Sequence, residues 1–236
     1  MGDLPDPAAA VVYYVVFLFS TTLHEAAHAW TAKLGGDLTA YHGGQVTLDP
    51  RPHIRREPVG MVVLPLITVM VSGWPFGYAS APYDPQWAMR YPRRAAWMAL
   101  AGPGANLLIV ALALGLIRWG AGAGVFVAPD SVRFGEIVAA AQPGVWDGVA
   151  FVVGVFLSLN LLLAALNLLP LPPLDGSAAL TLLLPQSMVP RYQQMLWRTP
   201  GLAVLGIVVA WQLIDVVFRP VFLLFVNLLY PGVSYR

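Results

Sequence analysis

Three of the seven histidine and glutamate residues of this chain fall within five positions, His24-Glu25-Ala26-Ala27-His28. On a helix, residues four apart share a face, so the two imidazoles address one point and Glu25 lies beside them. Two histidines at that spacing, followed and flanked by a glutamate, make a zinc site with its own general base. The plainer reading is a pair of core histidines with hydrogen-bond partners and a glutamate paired for charge. Ionisable groups at membrane depth cost roughly 2.5 to 3.5 kcal/mol each on insertion scales and seldom persist there without a function, which favours the metal reading.

The surroundings place the motif in a bilayer. Ala8 to Leu23 is a run of sixteen uncharged, mostly apolar residues, and apolar character resumes at Ala29-Trp30. Hydrophobic residues make up 58% of the chain and charged residues 11%, against about 25% charged in a soluble domain. This is the composition of an integral membrane protein. A formal net charge of +1 gives no reason to expect nucleic acid, and without cysteine any metal must be held by histidine and carboxylate. The stretch from Ala8 to about Lys33 predicts a helix about 39 Å long, enough to cross a hydrocarbon core of about 30 Å. Only Asp3 and Asp6 precede it as charges, so it reads as a retained helix and not a cleaved signal peptide.

Gly35-Gly36 ends that helix. Residues 37–57 are polar and rich in Gly and Pro, with an alternating piece at Gln45-Val46-Thr47-Leu48 that predicts a short strand or hairpin. Pro58 to Gly73 is apolar but short and broken by Pro65, which fits a re-entrant segment or a short span. Trp74 to Pro92 reads as a loop. A helix from Arg93 to about Ile117 contains Ala101-Gly102-Pro103-Gly104-Ala105-Asn106, small residues that let membrane helices approach closely; for these glycines packing is the expected role. Gly148 to Leu174 is uncharged and ends in prolines that must break it. Asp175 follows on a non-helical turn, either capping a short helix from Gly176-Ser177 or supplying the third ligand that a two-histidine site lacks. With no cysteine in the chain, the ligand reading is preferred. Ser177 to Val189 predicts a short apolar helix, followed by a polar stretch. Gly201 to Phe218 spans, and Pro220 kinks it or starts a separate segment. The whole reads as one membrane-embedded domain over residues 1–236: an all-α integral membrane protein, a bundle of about four to six transmembrane helices with a short β-hairpin-like or re-entrant region after the first.

A shared metal dictates topology. His24 and His28 lie toward the C-terminal end of the first helix and Asp175 just past the end of the Gly148 helix, so the two helices must run parallel. One crossing between them, from Arg93, suffices, and Pro58 to Gly73 should not cross. Residues 33–94 then form one region holding Lys33, Arg51, Arg55, Arg56, Arg90, Arg93 and Arg94, against Arg118 and Arg133 opposite. By the positive-inside rule the site faces the cytoplasmic half.

These residues resemble the site-2 proteases, intramembrane zinc metalloproteases, and among them the short prokaryotic members without appended PDZ or CBS domains. The likeness covers roughly residues 15–185. Its pieces are His24-Glu25-Ala26-Ala27-His28, the Ala101-Gly102-Pro103 helix with Asn106, and Asn167 to Gly176, which is similar to the family's N-x-x-P-x-P-x-x-D-G stretch. The resemblance implies that His24, His28 and Asp175 bind Zn2+, that Glu25 is the catalytic base and that Asn167 contacts the substrate carbonyl. It also implies a helical bundle in a prokaryotic cell membrane and transmembrane segments as substrates, and it specifies no oligomeric state. Two loop patterns depart from the family: Leu48-Asp49-Pro50-Arg51-Pro52-His53-Ile54 carries two extra arginines after it, and Ala79 to Pro85 stands where a Lys-Pro-Val-Pro-x-Asn-Pro stretch is expected. A substrate helix must unwind before cleavage; Pro58 to Gly73 and Gln45 to Leu48 are the expected partners for it, the latter by strand pairing. For Asn167 the plainer role is an interhelical hydrogen bond, a duty for which Asn160 is the better candidate. His42 and His53 read as loop residues, with a supporting or gating role as the alternative for His53. The rival functions are a catalytically inactive zinc-binding membrane protein that binds transmembrane helices, and a transporter; an intact Glu25 argues against the first and the absence of an inverted repeat against the second.

Overall fold

The computed structural model describes residues 6–199 and 201–236; Asp3 lies outside them. Helix α1 (Pro7–Leu34) starts where the Asp6 carboxylate accepts from the Ala8 amide and Pro7 fills the first turn. With α6 (Pro92–Gly122), α7 (Val145–Asn167) and α10 (Gly201–Leu229) it makes four helices, among the described residues, long and apolar enough to cross a bilayer. That is the lower end of the expected number.

Side-chain pairs fix their directions. Tyr13 packs edge-on against Phe151, and Phe19 against Phe156, so α1 and α7 run parallel, as the shared-metal argument requires. His28 meets Met98 while His24 meets Asn106, so α6 runs antiparallel to both. The backbone of Gly206 lies against the Pro172 carbonyl, and the Arg118 guanidinium donates to the Leu229 carbonyl at the other end, so α10 is antiparallel to α7. Pro220 sits inside α10 without dividing it.

Between α1 and α6 the chain goes out and comes back. A π-helical stretch, Val59–Val63, continues into α4 (Leu64–Ser72). Fourteen residues of helix reach about 21 Å, short of a bilayer core of about 30 Å. The segment runs down α1, where Val69 joins the cluster of Tyr13 and Phe17, and ends with Trp74 6.5 Å from Phe134 of the far connection. The return is extended: Phe76 N donates to Thr68 Oγ1 (2.7 Å), Tyr78 N to the Gly60 carbonyl (3.0 Å), and Gly77 is pressed so closely on Gly60 and Phe17 that no side chain fits. Asp37, just after α1, accepts from the Asp84 amide (2.9 Å), so both ends of the excursion lie at one end of the bundle. It makes no net crossing.

The expected strand at Gln45–Leu48 is not one. These residues bend between α2 (Thr39–His42) and α3 (Pro50–Arg56), held by Gln45 Nε2 donating to the Ser80 carbonyl and by His53 Nε2 donating to the Thr47 carbonyl. Backbone groups that a partner strand would need are turned onto the protein itself, the Thr47 carbonyl onto His53 and the Gln45 amide onto the Ala40 carbonyl. The paired strands lie in the α6–α7 connection, β1 (Phe126–Val127) and β2 (Ala139–Ala140). The stretch read as a loop before Arg93 contains α5 (Pro85–Arg90), capped by Asp84, and the polar stretch after Val189 is α9 (Val189–Arg198). The helix expected from Ser177 to Val189 is shorter, α8 (Asp175–Ala179) with one 3-10 turn after it.

Asp37 closes the excursion. It is buried, and it also accepts from Thr39 N (2.9 Å) and Thr39 Oγ1 (2.6 Å). Orphaning donors in a buried position costs about 1 to 3 kcal/mol each, so Asp37→Ala is expected to lower stability by roughly 2 to 4 kcal/mol in thermal unfolding of the detergent-solubilised protein. An unchanged midpoint would show that the clasp lies elsewhere.

Candidate metal centre

Three side chains from two elements converge on one point. His24 and His28 project from α1, both buried, and Asp175 opens α8 with its side chain 20% exposed. His24 Nε2 stands 2.9 Å from His28 Nε2 and 3.1 Å from Asp175 Oδ2, and His28 Nε2 stands 3.3 Å from Asp175 Oδ1. The chain reaches this arrangement because α7 stops at Asn167, ahead of Pro170, and residues 168–174 fold back. Gly176 lies so tightly against the Leu168 and Leu169 carbonyls that a side chain there would overlap them. Asp175 caps nothing: Leu174 holds the cap position of α8 with no side-chain bond to it, and the carboxylate faces the imidazoles instead.

The donor set fits a metal ion on protonation grounds. His28 Nδ1 lies 2.7 Å from the Met98 carbonyl, which only accepts, so Nδ1 carries the proton. His24 Nδ1 lies 2.6 Å from Asn106 Oδ1 and carries its proton likewise. A neutral imidazole has one N–H, so both Nε2 atoms turn bare lone pairs toward each other and toward a carboxylate. Such a cluster is repulsive unless a cation lies within it. Ligands held about 2.0 to 2.1 Å from a tetrahedral zinc stand roughly 3.3 Å apart, near the spacings observed.

Glu25 is buried beside the cluster, and its Oε2 has no hydrogen-bond partner. One of its carboxylate oxygens lies within 4.8 Å of the ligand nitrogens of both histidines. Gly102 of α6 completes the wall: a side chain there would overlap both Nε2 atoms, whereas Gly104 faces open space. Gly102, expected only to pack helices, therefore packs against the two histidines. Asn167 stands apart, half-buried at the end of α7, with its amide donating to the Leu163 carbonyl of its own helix (3.1 Å). Asn160 makes the interhelical contacts expected of it, to Ser20 and Asn106. His42 is exposed and His53 is buried, bonded to the Thr47 carbonyl away from the cluster. The roles of Asn106 and Gly102 were not separable from packing in the sequence, because each depends on how α6 is rotated against α1.

This arrangement has relatives. A protein of Mycobacterium tuberculosis carrying the name "Putative zinc metalloprotease Rip2" is 36% identical over 183 residues, 76% of this chain and 61% of its own length. One of Bacillus subtilis, "Putative zinc metalloprotease YwhC", is 33% identical over 173 residues, 72% of this chain and 68% of its own. The chain thus spans about three fifths of the Rip2 protein. No solved structure matches significantly. The sequence profile of Peptidase family M50, the site-2 protease family, matches residues 12–208, a stretch that holds both histidines, Glu25 and Asp175, and to that family the chain belongs.

Proposed function

We propose that the chain is a zinc endopeptidase that cuts peptide bonds within or next to transmembrane segments, as in regulated intramembrane proteolysis, with His24, His28 and Asp175 as zinc ligands. The observation that carries the reading is the convergence of two unprotonated Nε2 atoms and a carboxylate beside a buried, unpartnered Glu25. A zinc ion bound there supplies Lewis acidity toward a water molecule and a peptide carbonyl. Glu25 takes the proton of that water and hands it to the leaving amine. Its position one residue after His24, with no hydrogen bond to Oε2, leaves the carboxylate available for both transfers. Asn167 would exchange its bond to Leu163 for the substrate carbonyl and steady the developing oxyanion, a type of contact worth about 3 to 4 kcal/mol in another protease. A zinc-binding protein without catalysis gains nothing from a free buried carboxylate at this position.

The substrate approaches from the side. A groove of about 370 Å3 between α4 and α10 is lined by Thr68, Phe76, Ile207 and Trp211 among others, and it supports the role expected of Pro58 to Gly73. Strand pairing through Gln45–Leu48 has no strand to extend and is set aside. The basic residues from Lys33 to Arg94 lie at the site's end of the bundle, which favours a cytoplasmic-facing centre in a prokaryotic cell membrane.

The test is cleavage by the purified protein in micelles of a panel of single-span membrane proteins. Cuts mapped by mass spectrometry within or beside the span, lost with a chelator and restored by zinc, are expected. Cleavage that survives the chelator, or metal uptake into vesicles without any cleavage, would defeat the proposal.

A further inference from the structure

A chain of buried amides runs behind His24. Asn160 of α7 lies 2.8 Å from the Phe156 carbonyl and 2.9 Å from Ser20 Oγ of α1, and 2.9 Å from Asn106 of α6. Asn106 in turn lies 2.6 Å from His24 Nδ1. Ser20, Asn106 and Asn160 are each fully buried.

The direction of every bond follows from one carbonyl. The Phe156 oxygen only accepts, so the Asn160 atom facing it is the NH2 group. Its Oδ1 therefore faces Asn106 and must meet the Asn106 NH2. That leaves Asn106 Oδ1 toward His24, so the imidazole presents N–H at Nδ1 and a bare lone pair at Nε2. Turning over either amide would set two donors or two acceptors face to face where water does not reach.

We propose that Asn106 and Asn160 are positioning residues that lock His24 in its metal-binding tautomer and so set the affinity of the site for a divalent cation. The inference rests on the metal reading above. His28 does not depend on the chain, since a backbone carbonyl, Met98, performs the same service for it. His24 is thus the ligand whose tautomer is written in side chains.

Titrating Co2+ against a competing chelator, with the full chain in micelles, tests this through affinity and through the visible spectrum of the bound ion. Outer partners of metal-bound histidines typically change affinity 10- to 100-fold, and that loss is expected for Asn106→Leu, which removes the acceptor. A smaller loss is expected for Asn160→Leu, which frees Asn106 to turn over. Asn106→Asp separates positioning from glue. Its second oxygen would face Asn160 Oδ1 and lower the thermal midpoint, yet it keeps an acceptor for His24 Nδ1–H, so Co2+ affinity and spectrum should hold. If affinity instead follows the midpoint across the three variants, or Asn106→Leu binds Co2+ as the unaltered protein does, the tautomer lock is wrong. Should Asn106→Leu fail to fold, the Asn106→Asp arm decides by itself. If the unaltered protein binds no Co2+, as His24→Ala would not, the metal reading has failed first and takes this inference with it.

Discussion

Replacing Glu25 with Gln is expected to lower peptide hydrolysis by roughly two to four orders of magnitude, the range that a positioned acid or base contributes, while bound zinc per chain stays unchanged. Gln preserves size and polarity and removes the ability to accept and return a proton. The two readouts together are informative because Glu25 lies close enough to both imidazoles to compete with Asp175 as the third ligand. The nearer oxygens belong to Asp175, at 3.1 and 3.3 Å. If Glu25→Gln loses its zinc while Asp175→Asn keeps it, the assignment of ligand and base is reversed. Activity that survives Glu25→Gln would remove the base from the mechanism altogether.

Gly102→Ala carries the other large effect. Alanine favours a helix over glycine by about 1 kcal/mol, so in a neutral setting the change would stabilise α6. At this position the added methyl group overlaps Nε2 of both His24 and His28, and zinc affinity is expected to fall by about 100-fold, the upper end of what disturbing a ligand's orientation costs. Gly104→Ala is the matched control, two residues along the same helix with open space around it. Equilibrium dialysis with zinc should show the first substitution emptying the site and the second leaving it intact. Equal zinc binding by both would mean that α6 does not form the wall of the centre.

The convergence of His24, His28 and Asp175 was legible in the sequence because its signals are local: a four-residue spacing sets the two histidines on one face, and prolines force Asp175 out of the helix before it. The parallel course of α1 and α7 followed from asking those three side chains to meet. The short helices were also signalled, though read as loop. Asp49-Pro50 and Asp84-Pro85 each place a capping carboxylate before a proline at the first helical position, and both start helices. The alternation at Gln45–Leu48 misled because its groups bond to Ser80 and His53, contacts that no local pattern records. The amides of Asn106 and Asn160 lay beyond reach for a related reason. Their meaning depends on three helices being rotated so that one carbonyl, Phe156, orients the rest.

The excursion from Val59 to Asp84 puts backbone outside a helix at membrane depth. After Ser72 its backbone leaves the helix and returns extended at the depth of Phe17, with Tyr78 exposed. Peptide groups outside a helix or closed sheet cannot face lipid tails; they are tolerated at that depth only against protein or along a hydrated cavity. The excursion meets that condition against protein: Phe76 N bonds to Thr68 Oγ1 and Tyr78 N to the Gly60 carbonyl, so the returning chain can lie beside α1 without exposing those amides to hydrocarbon.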